Sequence, residues 1–105
     1  MSDAQIVAAI EKEAGRGVGA VYEDGRCVEL RLTDPESLYH GLFRRHSPAA
    51  KQAVAALVAR LKGLRHLDLG KNRFGVLPDS FGELKELREL LLDSNALKTV
   101  PKWIK

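Results

Sequence analysis

The sequence predicts an α/β fold in which short parallel strands stack in successive coils behind an N-terminal helix and hairpin. The C-terminal part of the chain repeats itself at an interval of 23 residues. Two segments have the apolar spacing and capping residues of α-helices, and Asp24-Gly25 is a hairpin signal between two apolar runs. The 105 residues, 45% hydrophobic and 30% charged, are enough for one folded domain, residues 1–105.

The first helix is predicted over "SDAQIVAAIEKEAG". Ser2 and Gln5 have the spacing of a capping box, and Gly15 is a C-terminal helix signal. The following "VGAVYEDGRCVELRL" is interpreted as two strands joined at Asp24-Gly25. Residues 1–26 are therefore expected to form an N-terminal cap.

A second helix is predicted over "SPAAKQAVAALVARLKG". Ser47 is its N-cap, Pro48 its first residue and Gly63 its expected end. An apolar stripe runs along one face of this helix: Val54, Leu57, Val58 and Leu61. The helix is expected to cover the convex side of the first coil.

The segment before this helix, "PESLYHGLFRRHS", allows two interpretations. Its apolar members are Leu38, Tyr39, Leu42 and Phe43, and its basic members are His40, Arg44, Arg45 and His46. The basic residues are expected either to form a solvated loop or, with Lys51, to bind a phosphate or acidic group near the N-terminus of the helix.

The repeat becomes visible when "LKGLRHLDLGKNRFGVLPDSFGE" is set above "LKELRELLLDSNALKTVPKWIK". The leucines coincide, and so do Asn72 with Asn95 and Pro78 with Pro101. Phe74 and Leu97, Leu77 and Val100, and Phe81 and Ile104 are matched in character. A helix over residues 61–69 would also fit the spacing of three between Leu61, Leu64 and Leu67, but it accounts poorly for the recurring Asn and Pro.

The spacing LxxLxLxxNxLxxLPxxF, present twice, resembles the leucine-rich repeat family, in particular the 23-residue intracellular type of Ras-suppressor and Roco proteins. "DGRCVELRL" likewise resembles the lead-in of the N-terminal cap of such arrays. The resemblance implies a short right-handed solenoid with parallel strands on its concave face. It divides the chain into a cap (1–26), a degenerate first repeat with an inserted loop and helix (27–60), a second repeat (61–83) and a third (84–105).

Residues within the repeats receive structural roles. Asn72 and Asn95 carry both a donor and an acceptor, so they are expected to be buried, stacked on each other and bonded to the backbone of the turns. In the first repeat Leu30 and Leu32 take the leucine positions, and Pro35 replaces the asparagine. Cys27, the only cysteine, is interpreted as a small buried core residue and not as a nucleophile.

Alternation along the three strands predicts the side chains of the open, concave face. The expected partner-binding residues are Glu29, Arg31, His66, Asp68, Glu89, Leu91 and Asp93, with Thr33 and Gly70 beside them. Stacking in register would form two rows, Glu29-His66-Glu89 and Arg31-Asp68-Leu91. The first row allows either a metal site with His66 between two carboxylates or simple charge pairing, and a flat ladder of parallel strands favours charge pairing.

The functional prediction is a cytoplasmic protein-protein interaction module, either by itself or as one part of a larger signalling protein, without catalytic residues, cofactor or metal. The net charge of +3 is mild and spread along the chain, so nucleic acid is not the first expectation. The alternatives are anion or nucleic-acid binding through residues 44–51 and a structural capping or assembly unit. Trp103 and Ile104, at the end of the last repeat, are expected to mediate self-association.

Overall fold

The computed structural model describes residues 2–33, 46–72 and 79–91. Their elements, in chain order, are α1 (Asp3–Ala14), β1 (Gly19–Glu23), β2 (Arg26–Arg31), α2 (Pro48–Val58), β3 (His66–Asp68), a five-residue 3-10 helix (Asp79–Glu83) and β4 (Glu89–Leu91). The strands form one sheet in the order β1-β2-β3-β4. The predicted α/β class is therefore confirmed.

Helix α1 begins and ends as its sequence predicts. The Ser2 hydroxyl accepts a hydrogen bond from the Gln5 N–H at 3.2 Å, and the Gln5 side chain accepts one from the Ser2 N–H at 2.8 Å. Gly15 adopts the left-handed conformation (φ 75°), and its N–H donates to the Glu11 carbonyl. Both helix ends therefore have partners for their otherwise unsatisfied backbone groups.

Strands β1 and β2 form the predicted hairpin at Asp24-Gly25. Both turn residues have positive φ, 52° and 79°, the conformation that a two-residue hairpin turn requires. The register shifts between Val21 and Tyr22, because Tyr22 lies opposite Cys27 whereas Val21 lies opposite Glu29. β2 thus contains a bulge, which places Cys27 toward the core and Glu29 on the other face of the sheet.

The remaining strands, β2, β3 and β4, are parallel. Leu30 lies beside Leu67, and Leu67 beside Leu90, so that a row of leucines crosses the sheet. Beyond the strands, the Leu32 N–H donates to the Asp68 carbonyl and the Leu69 N–H to the Leu91 carbonyl, each at 2.9 Å. Since residues 66–68 form a strand, the alternative of a helix over residues 61–69 is wrong.

Helix α2 starts at the predicted residues but ends earlier than predicted. The Ser47 hydroxyl accepts from the Ala50 N–H at 3.1 Å, and Pro48 is the first helical residue. The helix ends at Val58, and short turns then lead toward β3, so Gly63 is not the helix end. Gly63 instead lies against Arg26, where an added Cβ would stand 3.0 Å from the Arg26 Nε.

The core lies between the two helices, which pack against each other, and the leucine side of the sheet. Phe81 of the 3-10 helix is buried there, and Cys27 is fully buried, as predicted. Lys51 is only 8% exposed, because it lies on the buried stripe of α2 with Val54 and Val58. Its aliphatic stem can pack along apolar surface.

Other predictions fall on residues outside the described ranges: Pro35, Leu38, Tyr39, His40, Leu42, Phe43, Arg44, Arg45, Phe74, Leu77, Pro78, Asp93, Asn95, Leu97, Val100, Pro101, Trp103 and Ile104. They stay predictions. Within residues 2–33, 46–72 and 79–91, neither helix has the length and apolarity needed to cross a membrane.

Candidate functional site

The candidate site is the side of the sheet that faces away from the core, called here the open face. The register brings Glu29, His66 and Glu89 into one row and Arg31, Asp68 and Leu91 into the next. Both predicted rows are confirmed as arrangements of neighbours. A concavity of about 450 Å³ lies over them, lined by Glu29, Leu30, Arg31, Thr33, His66, Leu67, Asp68, Glu89 and Leu91.

Two positions that were expected on this face need separate comment. Gly70 is buried and does not line the concavity. Asp93 lies outside the described residues. Whether any residue of the open face contacts a partner stays a prediction.

Strand β1 extends both rows, which sequence alternation did not predict. Val21 lies opposite Glu29, and Gly19 lies opposite Arg31, so each row has a fourth member. Val21 is 47% exposed and Leu91, at the far side of the sheet, is 43% exposed. The open face therefore has an exposed apolar side chain in each of its two outer strands, with charged residues between them. The Asp24-Gly25 turn indicates the pairing, but the bulge decides which β1 residues lie opposite Glu29 and Arg31.

Arg31 leans toward β1. An added Cβ on Gly19 would stand 3.3 Å from the Arg31 Cβ and 3.9 Å from its Cγ and Cδ, so the glycine accommodates the arginine stem. The guanidinium lies 3.9 Å from a Glu29 carboxylate oxygen, and the Arg31 side chain is 69% exposed. A pair this long and this solvated contributes little stability.

His66 and Glu89 also approach each other, with 3.7 Å between Nδ1 and the nearest carboxylate oxygen. Both side chains are well exposed, so water screens this interaction. In the part of the chain that the structure describes, no three His, Cys, Asp or Glu side chains converge on a point where a metal ion could sit. The row therefore provides charge pairing between neighbours on a ladder.

Asp68 has a structural contact besides its position on the face. One of its carboxylate oxygens accepts a hydrogen bond from the Gly70 N–H at 2.9 Å. The following Lys71 adopts a left-handed conformation, φ 64°. The aspartate thus stabilises the turn that leaves β3, so a substitution at Asp68 would remove this hydrogen bond as well as change the open face.

Asn72 is completely buried, as predicted. Its side-chain nitrogen lies 3.1 Å from each of three backbone carbonyl oxygens, those of Leu32, Leu69 and Gly70, to which it donates. The Leu32 carbonyl follows β2, the strand beside β3. Because buried carbonyl groups need donors, this asparagine satisfies the turn after β3 and also connects it to the end of β2. Its predicted stacking partner, Asn95, is outside the described residues.

The basic segment is only partly described. The His46 Nε2 donates to the Glu13 carbonyl at 2.9 Å, which ties the start of α2 to the end of α1. Lys51 is buried on the inner side of α2. The structure therefore does not place Lys51 on an exposed basic surface, and Arg44 and Arg45 lie outside the described residues.

Cys27 is protected from reaction by its surroundings. Burial, and secondarily the negative charge of Asp3, raise the pKa of the thiol to about 11. The Sγ donates to the Glu29 carbonyl at 3.2 Å. A thiol of this kind is protonated at neutral pH and is a poor nucleophile, which supports the interpretation of Cys27 as a core residue.

A second, smaller concavity of about 190 Å³ lies where the parallel strands begin, and sequence reasoning missed it. Its lining is of mixed charge: Glu23, Asp24, Arg26, Val28, Gly63, Arg65 and Glu86. Arg65 donates to Glu23 at 2.9 Å. Because acidic and basic side chains both line it, this region presents no single charge to a ligand.

Comparison with known proteins gives one match. A family model described as leucine rich repeat matches residues 55–97, which include β3, the 3-10 helix, β4 and part of α2. No curated protein and no solved structure matches the chain significantly.

Proposed function

Residues 55–97 match the leucine-rich repeat family model, and on that premise we propose that this chain binds another protein through the open face of its sheet. Leucine-rich repeat domains generally mediate protein-protein interactions and are typically not enzymes. The binding residues in this proposal are those predicted from sequence: Glu29, Arg31, His66, Asp68, Glu89, Leu91 and Asp93.

The observation that carries the proposal is the register of β2, β3 and β4. It gathers charged side chains from three separate parts of the chain into one concavity of about 450 Å³, next to the exposed Leu91. Core packing does not require Leu91 to be apolar, since it lies on the side of the sheet away from the core. An exposed apolar residue beside convergent polar groups is typical of a contact surface.

The proposal includes the finer architecture. Three parallel strands in register and the bond from Asn72 to the preceding coil support a short solenoid. Its divisions are then the cap 1–26 and the repeats 27–60, 61–83 and 84–105. A face of three such strands is smaller than a standard interface of about 800 Å² per partner. We therefore expect a weak or transient complex from these residues alone.

Two further parts of the proposal come from the sequence. A single, unpaired cysteine is consistent with a cytoplasmic location, where thiols stay reduced.

Self-association through Trp103 and Ile104 is expected to appear in sedimentation at high concentration. A Trp103→Ser variant should then sediment as a smaller species than the wild type, and equal sedimentation of both would contradict this part.

The test of the proposed function is affinity capture from a lysate with the intact protein as bait. Leu91→Glu should abolish capture of proteins that bind the open face, since it introduces a charge at the apolar contact. Ala53→Glu is the matched control, because it adds the same charge at an exposed position of α2. Captured proteins that are lost with both variants, or with neither, would overturn the proposal.

A further inference from the structure

We infer that the partner presents a short extended segment with a lysine or arginine in its centre and apolar residues on both sides. If the first apolar residue is at position i, the basic residue is at i+2 and the second apolar residue is at i+4. This inference rests on the proposed function and specifies the partner of the same surface. The open face has an apolar side chain at each of two opposite edges and an excess of carboxylates in the middle.

The first step is charge. The described residues of the open face include three carboxylates, Glu29, Asp68 and Glu89, against a single guanidinium, that of Arg31. The chain as a whole has a formal net charge of +3. The described residues of the open face therefore carry a net negative charge, whereas the chain as a whole is positive. Electrostatic complementarity then favours a basic segment on this face over an acidic one.

The position of Arg31 reinforces this choice. Its stem lies over Gly19, toward the β1 side of the sheet, and its head remains near Glu29 at 3.9 Å. The middle of the face is left to Glu29, His66 and Asp68. A basic side chain placed there would meet carboxylates from neighbouring strands, β2 and β3, and Glu89 lies one strand farther.

The second step is the spacing of the apolar positions. Val21 and Leu91 lie in the outermost strands, three strand separations apart and in adjacent rows. With about 4.8 Å between strands and about 6.8 Å between rows, they are roughly 16 Å apart. An extended segment rises about 3.4 Å per residue, so positions i and i+4 span about 14 Å. Side chains at i, i+2 and i+4 also point the same way, which places the basic residue between two apolar ones.

The occupant is thus a segment that crosses the strands diagonally from β1 to β4. Its first apolar residue lies near Val21, its basic residue near Glu29 and Asp68, and its second apolar residue near Leu91. An α-helix, which rises about 1.5 Å per residue, would need about ten residues for the same span and would not present this pattern.

The experiment is selection of a displayed library of random nine-residue peptides on the full chain, followed by affinity measurements on the enriched peptides. The test variant is Glu29→Gln/Glu89→Gln, and the matched control is Glu13→Gln/Glu86→Gln, which removes two exposed carboxylates away from the open face. Asp68 is left unchanged because it holds the Gly70 turn. Both double variants change the net charge equally, so a general attraction of basic peptides would affect them alike.

The expected result is enrichment of peptides with Lys or Arg two residues from an apolar residue on each side. Their affinity should fall about three- to tenfold in the test variant, and by less than twofold in the control. Peptides that lose affinity with Leu91→Glu but carry no basic residue would overturn this inference and leave the proposed function standing. Equal losses in the two double variants would also overturn the inference. Failure to enrich any peptide that depends on Leu91 would overturn both.

Discussion

The side-chain amide of Asn72 donates a hydrogen bond to the backbone carbonyl of Leu32, 40 residues earlier in the chain, at 3.1 Å. Pro35 stands three residues after Leu32, whereas Asn72 stands three residues after Leu69. Asn72 bonds within its own turn and also to the segment that follows β2. This contact links the turn after β3 to the strand that forms the N-terminal hairpin with β1.

Replacing Asn72 by alanine should lower the free energy of unfolding by about 2 to 4 kcal/mol, since buried carbonyl groups lose their donor. Urea denaturation measures the effect. Lys85→Ala, at an exposed position, is the control and should change stability by less than about 0.5 kcal/mol. A loss below about 1 kcal/mol for Asn72→Ala would contradict the structural role of this side chain.

Asn72→Asp should be destabilising in a pH-dependent way. The introduced carboxyl would be buried among carbonyl oxygens, and it can donate only when it is protonated, so its pKa in the folded state would be raised. A raised folded pKa means that stability is retained below the unfolded carboxyl pKa and lost as pH rises through the folded one. Denaturation of the variant at pH 4 and pH 7, each relative to wild type, should show the larger deficit at pH 7.

Truncation of Leu67 should cost far more stability than truncation of Leu91. Leu67 is 1% exposed and central in the leucine row, so Leu67→Ala should cost about 2 to 5 kcal/mol of stability. Leu91 is 43% exposed on the other side of the sheet, and Leu91→Ala should cost less than about 1 kcal/mol. Thermal or urea unfolding of both variants compares the two sides directly. Similar losses would mean that Leu91 also belongs to the core.

Cys27 should react very slowly with thiol reagents in the native protein. A rise in thiol pKa from 9.0 to about 11 lowers the thiolate fraction at pH 8 about a hundredfold, and burial slows the reaction further. Labelling kinetics in buffer and in urea measure the protection. The raised pKa also predicts that stability falls as pH rises from 9 toward 11, and that Cys27→Ala lacks this fall. Fast native labelling would show that the site opens readily.

Asp3 should stabilise the junction between α1 and β2. Its carboxylate accepts a hydrogen bond from the Cys27 N–H at 2.9 Å, and it lies in the first turn of α1, where the helix dipole favours a negative charge. Asp3→Ala should cost about 1 to 3 kcal/mol. Asp3→Asn should also lower the thiol pKa of Cys27, since a negative neighbour is removed. Unchanged stability and unchanged thiol titration would contradict this role.

Local sequence signals predicted much of the fold. The capping residues of α1, the start of α2 and the Asp24-Gly25 turn are local, and each is present as predicted. The rows of β2, β3 and β4 could also be predicted. The interval of 23 residues relates β3 to β4, the Leu30 and Leu32 pattern matches β2 to Leu67 and Leu69 of β3, and the alternation of two along each strand then fixes which residues become neighbours. The end of α2 was misjudged, since the approach of Arg26 to Gly63 is a tertiary contact that no local pattern reveals.

Among the described residues, the neighbours within the open-face rows were predicted for β2, β3 and β4 but not for β1. Val21 lies opposite Glu29, and so in its row, only because a bulge in β2 shifts the pairing by one residue. With a regular hairpin, Val21 would lie opposite Val28 and Ala20 opposite Glu29. The position of a bulge depends on how the side chains pack on both faces of the sheet. That tertiary packing cannot be read from a local pattern in one sequence.

Because β1 is antiparallel to β2, the two edges of the sheet are not equivalent. Because β1 occupies the outer edge of β2 and runs antiparallel to it, further coils with the geometry of β3 and β4 can be added only beside β4. In any array built this way, the chemistry near Val21 and Gly19 would stay constant while the opposite end changed with each added coil. One end of the surface would then act as a fixed anchor, and selectivity among partners would be set at the other.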